Sequence, residues 1–153
     1  MNTTFKTLEN LLHNAIDIHH RAGLLYRSLA TSTTDERCHM LLDEMAGKED
    51  QMATLIKEFA ERAQPRILNT YLQYTLEENP EDVIAAAAPE GAVTITEIGE
   101  LGQKLHSYQI GLMEGALREV ASGEACELLQ DILQLEKAEG RAFTRRADSV
   151  YGM

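Results

Sequence analysis

The composition of this 153-residue chain excludes several classes of protein. With 25 acidic and 14 basic side chains, and a formal net charge of −11, it is poorly suited to a nucleic-acid partner, which requires clustered Lys and Arg. No apolar run approaches the roughly 20 residues of a membrane span, and no basic segment followed by an apolar one marks a signal peptide. The two cysteines form no CxxC pair, so we expect a cytoplasmic protein with reduced thiols and no membrane partner.

The first part of the chain predicts two long helices joined by a short turn. Apolar residues recur at helical spacing from about residue 4 to residue 30, and again from about 36 to 63. In the segment TSTTDE between them, Thr33 and Glu36 have the spacing of a capping box, which predicts that the second helix starts there. Residues 4–64 are therefore expected to form an antiparallel hairpin.

Residues 65–93 lack the continuous helical spacing of the flanking segments, and we predict that they form a long crossover. The segment indicates a short helix, a turn at Asn79 and Pro80, a stretch of small residues and a second turn near Pro89. Thr94 and Glu97 then form another capping-box pattern, which opens a third long helix ending near residue 120.

A fourth long helix is predicted from a start capped by Ser122 to about Asp148, which completes a second hairpin over residues 94–148. We expect one domain over residues 1–153. Two hairpins joined by one long crossover predict an all-α, antiparallel four-helix bundle of the ferritin-like arrangement. Cys38 and Cys126 begin the second and fourth helices, and this topology places them too far apart for a disulfide.

An internal repeat relates the two hairpins. A shift of 87 residues superimposes the apolar positions of one hairpin on those of the other, and it also places His19 on His106 and Glu49 on Glu136. Each hairpin thus offers one His in its first helix and one Glu in its second, among aliphatic neighbours that should face a core. Tyr26, two turns after His19 on the same face, is expected to pack in that core.

These helices resemble the erythrin domain of rubrerythrin-type proteins, in the ferritin-like superfamily, over nearly the whole chain. The segment AIDIHHRAGLLYRSLA is similar to the family pattern A-I-x-x-E-x-x-A-x-x-x-Y-x-x-L-A, with His19 at the position of a metal-binding Glu. In that family each hairpin provides a Glu from its first helix and an ExxH pair from its second. Together these side chains hold a di-iron or di-manganese centre.

The ligand positions implied by this resemblance are altered. EMAGKEDQMATL keeps Glu49 but has Met52 in place of the His, and LQLEKAEGRAF keeps Glu136 but has Glu139 in place of the second His. His106 stands where the second Glu belongs. The CxxC pairs of a rubredoxin module do not occur in the sequence.

The resemblance implies a remodelled metal centre with five predicted ligands: His19, Glu49, His106, Glu136 and Glu139. Imidazole and carboxylate both bind Fe, Mn or Zn, whereas the thioether of Met52 is a poor ligand for a hard ion. We therefore expect one or two Fe or Mn ions, with Zn as an alternative in purified material, and no haem or nucleotide. The implied chemistry is oxygen or peroxide reduction coupled to Fe(II) oxidation, although no catalytic residue or electron donor is predicted.

Other interpretations stay open. Buried His and Glu can satisfy one another by hydrogen bonds, with an imidazolium as counter-charge, in a metal-free oligomeric or partner-binding module. A third interpretation is a histidine phosphotransfer module using His20 and Arg21, for which the internal repeat has no role. We expect a homo-oligomer, and a dimer rather than a closed 24-subunit shell, because no fifth helix is predicted after residue 148.

Overall fold

The structure is a computed structural model that describes residues 3–4, 7–72, 75–76, 79–120 and 123–151. The elements in chain order are β1 (Thr3–Thr4), α1 (Leu8–Ser32), α2 (Glu36–Arg62), α3 (Pro65–Leu68), β2 (Thr75–Leu76), α4 (Pro80–Ala87), α5 (Ile95–Glu119) and α6 (Glu124–Tyr151). The predicted all-α architecture is confirmed, with α1–α2 and α5–α6 as the two hairpins.

The start of α2 differs from the prediction. Asp35 is the N-cap, and its carboxylate accepts hydrogen bonds from the backbone N–H groups of Arg37 and Cys38. Thr33 instead lies at the C-terminal cap of α1, so the predicted capping box of Thr33 with Glu36 is wrong. Asp caps at least as well as Thr and directly precedes the first helical residue.

Other helix boundaries follow their capping residues. The capping box of Thr94 with Glu97 is confirmed in both of its hydrogen bonds. α1 begins later than predicted, at Leu8, because Thr7 is its N-cap and Thr3–Thr4 pairs with the crossover. The predicted cap at Ser122 lies outside the described residues.

The crossover contains more regular structure than predicted. Its strand β2 pairs antiparallel with β1, in the register Thr3 with Leu76 and Thr4 with Thr75. The turn predicted at Asn79 and Pro80 is the start of α4: Asn79 is the N-cap, and proline is tolerated in the first helical turn. The small-residue stretch is helical because alanine has the best helix propensity.

The core consists of two apolar clusters stacked along the bundle. One contains Leu8, Leu11, Leu12, Ile18, Ile56, Met113, Leu129 and Ile132. The other contains Tyr26, Leu41, Leu42, Met45, Ile98, Leu105 and Phe143. Both cysteines are unpaired, as the topology predicted. Within the part of the chain that the structure describes, no helix is long and apolar enough to cross a membrane.

Candidate functional site

Four buried polar side chains form a layer between the two apolar clusters. Each long helix contributes one of them: His19 from α1, Glu49 from α2, Gln109 from α5 and Glu136 from α6. Every one is at most 3 % exposed. On each helix the polar residue faces the bundle interior and lies between the residues of the first apolar cluster and those of the second. We call these four side chains the His19 cluster.

The imidazole of His19 is held at both edges by carboxylates. Its Nδ1 lies 2.6 Å from Glu49 Oε2, and its Nε2 lies 3.0 Å from Glu136 Oε2. Because an ionised carboxylate only accepts hydrogen bonds, both ring nitrogens donate, and the ring is an imidazolium. Burial alone would lower the pKa of His19. The charges of Glu136 and Glu49, with their hydrogen bonds, outweigh burial and raise the pKa to about 10.

Gln109 completes the cluster from the side of Glu49. Its Nε2 donates to the Glu49 carboxylate at 3.1 Å and 3.4 Å, a geometry that fixes the amide orientation. The same nitrogen lies 3.1 Å from His19 Nδ1, but both atoms carry hydrogen, so that approach is not a hydrogen bond. Gln109 was not among the residues predicted for the site. The sequence does show a polar residue at this inward-facing position, between Leu105 and Leu112, which could have indicated it.

His106 does not join the cluster, although the repeat pairs it with His19. Its Nδ1 donates to the backbone carbonyl of Gly102 at 2.7 Å. Its ring stacks on Phe143, with a centroid distance of 5.1 Å and an interplanar angle of 16°. The asymmetry has a packing cause. The repeat places Phe143 on Ile56 of the first hairpin, and only the larger aromatic ring can stack on the histidine.

Gly102 makes this arrangement possible. A Cβ atom at that position would lie 2.2 Å from Cζ of Phe143, far inside van der Waals contact. The absent side chain admits the Phe143 ring, and the carbonyl of the same residue holds His106. The contact between Gly102 and Phe143 was not predicted from the sequence.

Glu139 takes a cationic partner of its own. Its carboxylate accepts from Arg146 Nη2 at 2.7 Å, and the side chains of Glu139 and Arg146 are 13 % and 20 % exposed.

Met52 is buried. Tyr26 packs in the core as predicted, and its hydroxyl has no hydrogen-bond partner among the described residues. Burial, together with the charge of Glu49, raises the pKa of Tyr26 well above its ordinary value.

The donor atoms of the His19 cluster do not converge on a point that a metal ion could occupy. Glu49 and Glu136 approach His19 from opposite edges of the ring, and Gln109 directs an N–H group at the Glu49 carboxylate. Across the described residues, no group of three or more His, Cys, Asp and Glu side chains is arranged to hold a metal ion. The five predicted ligands stay a prediction, of which the structure brings together His19, Glu49 and Glu136.

Comparison with known proteins establishes the fold. No protein-family model and no curated protein sequence matches this chain. Among solved structures, it is similar to a protein from Thermotoga maritima that is provisionally described as a ferritin-like diiron-carboxylate protein. The two chains share 16 % sequence identity with a TM-score of 0.63, over 97 % of this chain and 98 % of the other. The chain therefore has a ferritin-like fold.

Proposed function

We propose that this protein is a ferritin-like bundle in which an ion cluster of its own side chains replaces the central metal pair, and that it acts as an oligomeric or partner-binding module. The observation that carries this proposal is the use of both His19 nitrogens by Glu49 and Glu136. A metal ligand must direct a lone pair at the ion, and an imidazolium that donates from both nitrogens has none to offer.

The charges of the cluster support the same conclusion. Two carboxylates and one imidazolium leave a single negative charge, towards which the Gln109 amide directs its N–H dipole. Buried charges are tolerated when they are paired and hydrogen-bonded. Such a network stabilises one alignment of the helices relative to alignments shifted along the helix axis. The His19 cluster then specifies how four helices align, a structural role that needs no cofactor.

The surface of the crossover supports self-association. Ala85 and Ala86 of α4 are exposed, as are Ala88 and Ala92 in the segment between α4 and α5. These small apolar side chains lie on a segment that packs against α1, so a second copy could approach closely there. The proposed assembly is a homodimer.

Metal content of the untagged protein tests this proposal. It is measured by inductively coupled plasma mass spectrometry as purified and after anaerobic loading with Fe(II) or Mn(II), with the mass in solution measured by light scattering. We expect retention far below one ion per chain and a dimeric mass. A monomeric mass would contradict the assembly role, and near one ion per chain would contradict the metal-free centre.

A second candidate function is that of a rubrerythrin-related protein with a single-ion centre. It is favoured by the proximity of His19, Glu49 and Glu136, which come from three helices, and by the description of the Thermotoga maritima protein as diiron-carboxylate. Bound iron would supply oxygen- or peroxide-linked redox chemistry there. This candidate requires that the protein bind about one metal ion per chain and that the Glu136→Ala variant lose this ion. It also requires that the NMR signal of the His19 imidazolium disappear when the metal is added.

A further inference from the structure

A surface groove lies between α5 and α6 on the outer side of His106. We call it the His106 groove; its walls include His106 and Ser107 from α5, and Lys137, Gly140 and Arg141 from α6. Its volume is about 260 Å³. The groove lies outside the His19 cluster, so its chemistry is independent of the proposed function.

The imidazole of His106 is oriented for a ligand in this groove. A backbone carbonyl only accepts, so the bond to Gly102 places the proton of the neutral ring on Nδ1 and leaves a lone pair on Nε2. Nε2 has no hydrogen-bond partner among the described residues. A Cβ at Gly140 would lie 4.0 Å from both Cβ and Cδ2 of His106, so the Cδ2 side of the histidine lies beside α6 at the groove. Stacking on Phe143 fixes the plane of the ring.

The charges of the groove favour an anion. Lys137 and Arg141 lie one helical turn apart on α6, and within the described part of the chain no carboxylate lines the groove. Lys137 Nζ lies 3.7 Å from Glu114 Oε2, in a pair whose side chains are 38 % and 45 % exposed, which is a weak and exchangeable contact. Arg141 has no ion-pair partner within the ranges that the structure describes. Both cations are therefore available to a ligand: Arg141 has no ion pair among the described residues, and the ion pair of Lys137 is weak.

Two further polar side chains of the groove wall, Gln103 and Thr144, are hydrogen-bonded to each other. Gln103 Nε2 donates to Thr144 Oγ1, and the Thr144 hydroxyl donates to the carbonyl of Gly140 at 3.0 Å. This contact ties α5 to α6 beside His106. The remaining hydroxyl in the wall, that of Ser107, is exposed and free to rotate towards a ligand.

We propose that the His106 groove binds hydrogen phosphate, with Lys137 and Arg141 contacting its charged oxygens and His106 Nε2 accepting from its P–OH group. An acceptor beside two cations matches an oxyanion that keeps a hydroxyl at neutral pH. Inorganic phosphate has that hydroxyl, whereas sulfate does not. The groove should therefore discriminate between two ions of the same shape.

Isothermal titration of the full chain with phosphate at low ionic strength, alongside nitrogen NMR of the histidine rings, tests the proposal. We expect saturable binding of one phosphate per chain that shifts the Nε2 resonance of His106. Sulfate should bind about tenfold more weakly, since it lacks one charge-assisted hydrogen bond. A methyl phosphate titration separates free phosphate from the phosphate group of a larger ligand, and tighter binding of the ester would overturn the assignment to free phosphate.

Matched variants locate the site. Arg141→Gln should weaken phosphate binding about tenfold through loss of one charged contact. Arg145→Gln makes the same charge change at an exposed position on α6 outside the groove and should leave binding unchanged. Gly140→Leu should fill the groove and abolish binding while circular dichroism shows an intact helical fold. Equal loss in Arg145→Gln, equal affinity for sulfate, or no saturation at millimolar phosphate would each overturn the proposal.

Discussion

His19 and Glu136 are joined by a buried hydrogen bond of 3.0 Å across 117 residues of sequence, which ties the first long helix to the last. The other edge of the same imidazole is bound to Glu49, so one side chain links three of the four helices. The repeat predicts two equivalent histidines, but the structure uses only His19 in this way. Phe143 holds its counterpart His106 outside the cluster.

Replacement of His19 should be strongly destabilising. His19→Leu leaves the carboxylates of Glu49 and Glu136 buried without a cation, and breaking a buried ion network of this kind costs about 3–5 kcal/mol. The free energy of unfolding, measured by chemical denaturation, is expected to fall by that amount. His20→Gln, one position along on the exposed side of α1, should change it by less than about 0.5 kcal/mol.

A companion variant separates ion pairing from packing. It replaces the whole cluster with apolar residues: His19→Leu, Glu49→Met, Gln109→Leu and Glu136→Leu. Because no charge is then left unpaired, stability should equal or exceed that of the wild type, as when other buried ion networks are replaced. A large loss in this variant as well would show that shape, not charge pairing, accounts for the effect of His19→Leu.

The free energy of unfolding should fall as the pH rises above neutrality, because His19 loses its proton. The pKa of His19 is raised from 6.5 to about 10 in the folded state, so its stabilising contribution is complete below pH 6.5 and is lost as the pH rises towards 10. Within that window the slope attributable to this group approaches about 1.4 kcal/mol per pH unit. Unfolding curves from pH 6 to 10 would measure it as the difference between wild type and His19→Gln. Parallel curves for the two proteins would contradict the raised pKa.

Gly102 should be intolerant of alanine. The added Cβ would lie 2.2 Å from the Phe143 ring, and relief of that overlap is expected to cost about 1–3 kcal/mol and to move the ring of His106. Gly99, one turn earlier on α5, has no atom within 4 Å of an added Cβ. Gly99→Ala should therefore stabilise the protein by up to about 1 kcal/mol through helix propensity alone. Similar stability changes in the two variants would rule out the steric explanation.

Restoring the ligand types of the resembled family should create a metal-dependent bundle. The variant carries His19→Glu, Met52→His, His106→Glu and Glu139→His. Without metal it buries additional carboxylates and no imidazolium at position 19, so it should be less stable than the wild type. Fe(II) or Mn(II) should then raise its melting temperature, because ions that bind only the folded state stabilise it. The same ions should leave the melting temperature of the wild type unchanged, and differential scanning calorimetry measures both.

Much of the fold was predictable because helical periodicity is a local property. The apolar spacing, the capping box at Thr94 and the short turns between helices together predicted two hairpins and a long crossover, and the structure confirms them. The predicted start of α2 was wrong because two residues only two positions apart, Thr33 and Asp35, both have side chains that can cap a helix. Only the path of the preceding helix decides which of them is free to cap.

The sequence by itself determined that His19, Glu49 and Glu136 face inward, because side-chain direction along a helix follows from its period. The tertiary structure decided which groups they meet. Gln109 enters the cluster from a helix 90 residues away, and Arg146 draws the Glu139 carboxylate into an ion pair. Gly102 and Phe143 together turn His106 outward. Hydrogen-bond partners depend on rotamers and on neighbours from other helices, and a repeat in one chain does not make the two environments equal.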